Sequence, residues 1–189
     1  MITDASSPNN FSKNYFDYLK VLIDKLSIEN VSKFIELILE TRENNKTIFF
    51  IGNGGSASTA SHFVNDISLG SRQFEKPFRA ISLCDNQAVI TAIGNDDGYE
   101  NIFLQQLQTQ AKAGDVLVAI SASGNSPNII KAINWAKDND LTTVGLSAFD
   151  GGMLAKLSNL NIHVPTKIGE YGPCLLYTSD AADERSSVG

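Results

Sequence analysis

Hydrophobic positions change their period repeatedly along the chain. From Phe11 to Leu26 they return every three or four residues (Tyr15, Tyr18 and Leu19, Leu22, Leu26), the spacing of one helix face. Ser27 has the chemistry of an N-cap, and a second helix follows from Ile28 to about Arg42, with Val31, Phe34, Ile35 and Ile38 on one stripe. Residues 1–10, polar and containing Pro8, read as a flexible arm. The helical period then gives way to the continuous apolar run Ile48-Phe49-Phe50-Ile51, the signature of a strand buried on both faces. It runs into Gly52-Asn53-Gly54-Gly55-Ser56, a glycine-rich turn whose Ser56 can cap the next helix, and a helix from Ala57 to about Ile67.

This alternation continues. Phe78–Leu83 reads as a strand and Asn86–Ile93 as a helix, ended by the turn Gly94-Asn95-Asp96-Asp97-Gly98. A helix is expected from Tyr99 to about Ala111, then a strand over Asp115–Ile120. The loop Ser121-Ala122-Ser123-Gly124-Asn125-Ser126 leads into a helix, with Ser126 as N-cap and Pro127 at its first position. A strand over Thr142–Ser147, the turn Asp150-Gly151-Gly152, a short helix to Leu157 and a strand over Asn161–Pro165 complete the pattern. Strands alternating with helices predict an α/β fold, a parallel sheet covered on both faces as a three-layer sandwich. The two N-terminal helices exceed what such a sheet needs. They are either a covering layer or, as the length of their stripes favours, an oligomerisation face.

Composition narrows this picture. The 189 residues suit one domain, and a net charge of −6 argues against a nucleic-acid surface. No apolar run is long enough for a membrane span, and the first residues lack a signal-peptide pattern, so a cytoplasmic protein is expected. Two cysteines, Cys84 and Cys174, give no disulfide framework. The periodic pattern stops at Gly172-Pro173. Residues 174–189 resemble the translation of a transposon-type sequencing adapter, read-through outside the fold; a natural tail is the alternative.

The candidate chemistry lies in the two loops. Each ends a strand and opens a helix, so in a parallel sheet both fall at the carboxyl edge, where ligands bind. Backbone N–H groups, helix dipoles and the hydroxyls of Ser56, Ser121, Ser123 and Ser126 suit a phosphate without Lys or Arg. An ordinary strand-to-helix turn explains the first loop equally well, but not three serines in six residues. His62 and Asp66 stand four apart on the helix after the first loop, a spacing that serves a metal, proton transfer or a solvated face alike. His163 reads as structural.

Together, Gly52–Ser56, Ser61-His62-Phe63-Val64-Asn65-Asp66, Gly94-Asn95-Asp96, Ile120–Ser126 and Asp150-Gly151-Gly152 resemble the SIS (sugar isomerase) domain family, in its phosphoheptose isomerase branch, over about residues 11–173. The resemblance implies a flavodoxin-like sheet, a homotetramer, and interconversion of sedoheptulose 7-phosphate and D-glycero-D-manno-heptose 7-phosphate for lipopolysaccharide or capsule heptose. It implies substrate contacts from Asn53, Gly54, Gly55, Ser56, Asn95, Asp96, Ser121, Ala122, Ser123 and Ser126. It also implies zinc on His62 and Asp66, with Asp66 as the catalytic carboxylate. Asp66 stands where the family carries Glu; its reach is about 1 Å shorter, and misplacement on that scale costs about 10²-fold. The family's catalytic His and further zinc ligands would follow Pro173, where the adapter-like tail begins, so the chain as it stands is expected to be inactive. The alternative function is a non-catalytic SIS-domain sugar-phosphate sensor or partner-binding protein, which needs the serine loops but neither His62 nor Asp66.

Overall fold

The computed structural model describes residues 7–166. The chain begins with helices α1 (Pro8–Asp24) and α2 (Ile28–Glu43), then strand β1 (Thr47–Gly52), α3 (Gly55–Asn65) and a π-helical turn over Asp66–Gly70. Next come β2 (Arg79–Ser82), α4 (Gln87–Asp96), a 3-10 turn (Tyr99–Asn101), α5 (Leu104–Gln110) and β3 (Val116–Ser121). The described part closes with α6 (Pro127–Asp138), β4 (Thr142–Ala148), α7 (Gly152–Leu157) and β5 (Leu160–Val164). The adapter-like segment and Cys174 lie outside the described residues.

The five strands form one sheet in the order β2-β1-β3-β4-β5, every pair parallel. That is the flavodoxin-like α/β arrangement expected from the alternating periods. Successive residues of the buried strands serve opposite layers. Ile48, Phe50, Val116, Val118 and Ile120 pack with Leu22, Phe34 and Ala60 of α1–α3, while Phe49, Ile51, Leu117 and Ala119 pack with Leu107, Ile129, Ile133 and Leu154 of α5–α7.

Handedness explains the N-terminal helices. From β1 to β2 the chain steps one way along the sheet, and from β3 to β5 it steps the other. Right-handed crossovers therefore put α3 on one face and the later helices on the other. Only α3 would cover the first face, and α1 and α2 supply the remaining cover through buried Leu22 and Phe34. Their outer sides keep Phe16 (59% exposed), Ile28 (81%) and Ile35 (53%) in solvent. Of the two alternatives drawn from the sequence, the covering layer is thus the one the structure shows.

Several boundaries differ from expectation. Helix α1 starts at Pro8 rather than Phe11, so residues 8–10 of the expected arm are helical: the Ser7 hydroxyl caps it by accepting the Asn10 N–H, and Pro8 suits the first turn. Helix α3 starts two residues early, at Gly55, and its N-cap is Gly54 rather than Ser56. Helix α4 continues through Gly94-Asn95-Asp96, and the reversal is made instead by Gly98 at φ 93°. The single helix expected over residues 99–111 is divided into the 3-10 turn and α5.

Candidate active site

Neighbouring β1 and β3 end in register, with Gly52 paired to Ile120. Their chains then part, one toward β2 and the other toward β4. This is the switch point of an open parallel sheet, where the diverging loops leave a crevice above the strand ends. Asn53–Gly55 enters it from β1 and Ala122–Ser126 from β3.

The first loop is shaped by backbone alone. Gly54 takes φ 52° and ψ −120°, a conformation open to glycine and denied to most residues. At Gly52 a Cβ would lie 2.6 Å from the Ser56 carbonyl carbon and oxygen, so the strand can turn into α3 only with glycine there. The Ser56 N–H donates to the Asn53 carbonyl at 2.8 Å, and Ser56 itself is buried in the first turn. Gly54 is exposed, and Asn53 and Gly55 are half-buried.

The second loop is shaped by side chains and by a neighbour. The Ser121 hydroxyl accepts the Gly124 N–H at 3.2 Å, and the Ser123 hydroxyl accepts the Asn125 N–H at 3.4 Å. Ser121, Ala122 and Ser126 are buried, and Ser123 is half-buried. Behind the loop lies Gly151-Gly152. A Cβ on Gly124 would stand 2.2 Å from the Gly151 oxygen, and one on Gly152 would stand 2.3 Å from the Ser123 oxygen. Asn125 ties the same contact, accepting the Met153 N–H at 3.0 Å. The Asp150-Gly151-Gly152 motif is thus the backing of the serine loop.

Neither loop carries Lys or Arg. The helix dipoles of α3 and α6 end at the crevice and favour an anion there. In the first turn of α6, Pro127 has no N–H and the Ile129 N–H is taken by the Asn128 side chain at 2.9 Å. Helix α6 therefore contributes its dipole and the adjoining hydroxyls more than a row of N–H groups.

Two residues that sequence reasoning missed join the loops. The Asn53 and Asn128 amides pair face to face: Asn53 Nδ2 donates to Asn128 Oδ1 at 3.0 Å, and Asn128 Nδ2 donates to Asn53 Oδ1 at 2.8 Å. The Tyr99 hydroxyl donates to the same Asn53 Oδ1 at 3.0 Å. Asn128 is only 2% exposed. A polar residue buried one position after a helix-opening proline was the available signal; nothing local marks Tyr99. Asn95 and Asp96 are exposed at the end of α4, their side chains bonded to each other at 2.7 Å, and Tyr99 carries the link from that end of α4 to the first loop.

His62 and Asp66 meet as their spacing predicts, Nε2 to Oδ2 at 3.3 Å, and both are well exposed. Asn65 Nδ2 donates to the other Asp66 oxygen at 3.2 Å. At a rise of about 1.5 Å per residue, Asp66 lies about 16 Å along α3 from Gly55. The pair and the cradle thus occupy opposite ends of one helix. Two donors are half of a tetrahedral zinc set. Among the described residues no group of three His, Cys, Asp or Glu could hold a metal ion, so no step is derived through one. His163 is structural as expected, its Nδ1 lying 3.2 Å from the Ser147 hydroxyl. The Cys84 Sγ donates to the Gly52 carbonyl at 3.4 Å, and burial pushes the thiol pKa up to about 11.

The chain belongs to the SIS domain family, whose pattern matches residues 12–148. The phosphoheptose isomerase of Helicobacter pylori (strain P12) is 40% identical over 148 residues, 78% of this chain and 77% of that protein. Among solved structures, the phosphoheptose isomerase from Neisseria gonorrhoeae aligns with a TM-score of 0.74 at 32% identity, covering 84% of this chain and 88% of that one. The phosphoheptose isomerase from Francisella tularensis aligns at 0.76 and 28% identity, covering 84% of each chain. The protein is accordingly an enzyme, an isomerase of this family. No helix among the described residues is long and apolar enough to cross a membrane.

Proposed function

We propose that the crevice binds a sugar phosphate, sedoheptulose 7-phosphate, and that the enzyme interconverts it with D-glycero-D-manno-heptose 7-phosphate. The observation that carries this reading is the pair of cation-free loops converging at the switch point, each leading into a helix N-terminus. Such a site takes a phosphate by dipoles and hydroxyls. Candidate contacts are Asn53, Gly54, Gly55 and Ser56 in the first loop, Ser121, Ala122, Ser123 and Ser126 in the second, and Asn95 and Asp96 beside Tyr99.

Asp66 is the proposed base. The carboxylate removes a proton from C1 of the ketose. The electrons move to the C2 carbonyl oxygen, giving an enediolate; the O1 proton passes to O2, and as the C1=O bond forms the proton held by the carboxylate returns to C2, giving the aldose. The His62 imidazole 3.3 Å away orients the carboxylate. The outer sides of α1 and α2, with Phe16, Ile28 and Ile35 exposed, suit burial between copies in a homotetramer. The reading places the enzyme in the cytoplasm, in heptose supply for lipopolysaccharide or capsule.

The test separates binding from chemistry. Calorimetric titration should show that the protein binds sedoheptulose 7-phosphate and not the unphosphorylated ketose; binding of neither overturns the cradle. Exchange of the C1 proton in D2O, followed by NMR, needs only the base. It should fall about 10²-fold or more in Asp66→Ala with binding retained. Equal exchange in the two proteins overturns the role of Asp66.

A further inference from the structure

We infer that Asn128 and Tyr99 are positioning residues: they lock the Asn53 amide so that it faces the crevice ligand only as a hydrogen-bond donor. This rests on the reading of Asn53 as a ligand contact. The orientation follows from the bonds themselves. A backbone N–H can only donate, so the Ile129 N–H fixes Asn128 Oδ1 as the atom beside it. That fixes Asn128 Nδ2 on the other side, and the face-to-face pairing then sets Asn53 with Nδ2 against Asn128 Oδ1 and Oδ1 against Asn128 Nδ2. Asn53 Oδ1 receives Asn128 and Tyr99 together, which fills both of its lone pairs. Of the two Asn53 N–H bonds one goes to Asn128, and the other is what remains for a ligand. The group it meets must be an acceptor, such as a phosphate, hydroxyl or carbonyl oxygen.

The lock also spans the crevice. Asn53 follows β1 and Asn128 opens α6, so the amide pair ties the glycine loop to the helix behind the serine loop. Tyr99 adds the chain between α4 and α5. A ligand held by both loops meets them at a fixed separation, and the ordering of Asn53 is already done before it binds.

Two variants remove the lock while sparing the fold. Tyr99→Phe deletes one donor at an exposed side chain. Asn128→Asp keeps the acceptor for Ile129 and places an acid in the first turn of α6, where the dipole favours it. Each is made alone and on an Asn53→Ala background, and sedoheptulose 7-phosphate affinity is read by calorimetry. The cycle subtracts any direct effect of the new charge on the phosphate. Tyr99→Phe should weaken binding about three- to tenfold, and Asn128→Asp more, with both effects largely gone when Asn53 is Ala. In the ligand-free protein, the Asn53 side-chain amide protons should exchange slowly with solvent, and faster in either variant. Effects of equal size with and without Asn53, or an Asn53 amide that exchanges alike in all proteins, overturn the inference. If the amide responds as stated but the parent protein binds no sugar phosphate, the functional reading fails, and with it the ligand-facing half of the inference; the lock between Asn53, Asn128 and Tyr99 stands.

Discussion

The two loops that flank the crevice do the same job by different means. After β1 the chain turns by having no side chains: Gly52 makes room for the Ser56 backbone, and Gly54 adopts a conformation that other residues avoid. After β3 it turns with side chains: Ser121 and Ser123 accept N–H groups within the loop, and Gly151-Gly152 presses on it from β4. The first is a local solution, sufficient in itself. The second is built by tertiary contact and collapses without its backing. The combination sets an exposed turn beside a buried one at the same end of the sheet.

The comparison can be broken most sharply at Gly124. Gly124→Ala adds a strained backbone (φ 65°) to a collision 2.2 Å from the Gly151 oxygen, and should lose about 3 kcal/mol in urea unfolding. A loss below 1 kcal/mol would mean that the Gly151-Gly152 backing yields and does not define the loop. Gly54→Ala carries the backbone strain at an exposed position, and should lose about 2 kcal/mol with the same unfolding slope. If it proves the more damaging of the two, local and tertiary roles are reversed. Ser121→Ala removes the acceptor of the Gly124 N–H in a buried turn and should lose about 1 kcal/mol.

Cys84 gives the smallest effect at neutral pH, because its thiol is protonated both folded and unfolded. Its folded pKa, about 11, is raised by burial above the ordinary value of 9.0. The stability it contributes is therefore fully present below pH 9 and is lost as pH rises toward 11. Iodoacetamide labelling of the native protein, resolved at the Cys84 peptide by mass spectrometry, should stay slow at pH 8 and climb toward pH 11. Labelling that levels off near pH 9 would show that the thiol is open to solvent.

Much of this was legible in the sequence, for reasons that particular residues show. Ile48–Ile51 reads as a strand because four consecutive apolar residues suit an element buried on both faces. The pairing of His62 with Asp66 follows from helical spacing alone. The reading failed where a choice depended on contacts. Gly94-Asn95-Asp96 has turn composition, yet α4 passes through it because Gly98, at φ 93°, makes the reversal. Ser56 looks like a cap, yet it is buried one residue inside α3 because Gly54 takes that place.

By itself the sequence determined the alternation of strands and helices, and hence the sheet with two loops at its carboxyl edge, because period and turn chemistry act between residues a few positions apart. The tertiary structure decided what faces what. Asn53 meets Asn128 across 75 positions and Tyr99 across 46, and no local pattern encodes a hydrogen bond between residues that only the closing of the sheet brings within 3 Å.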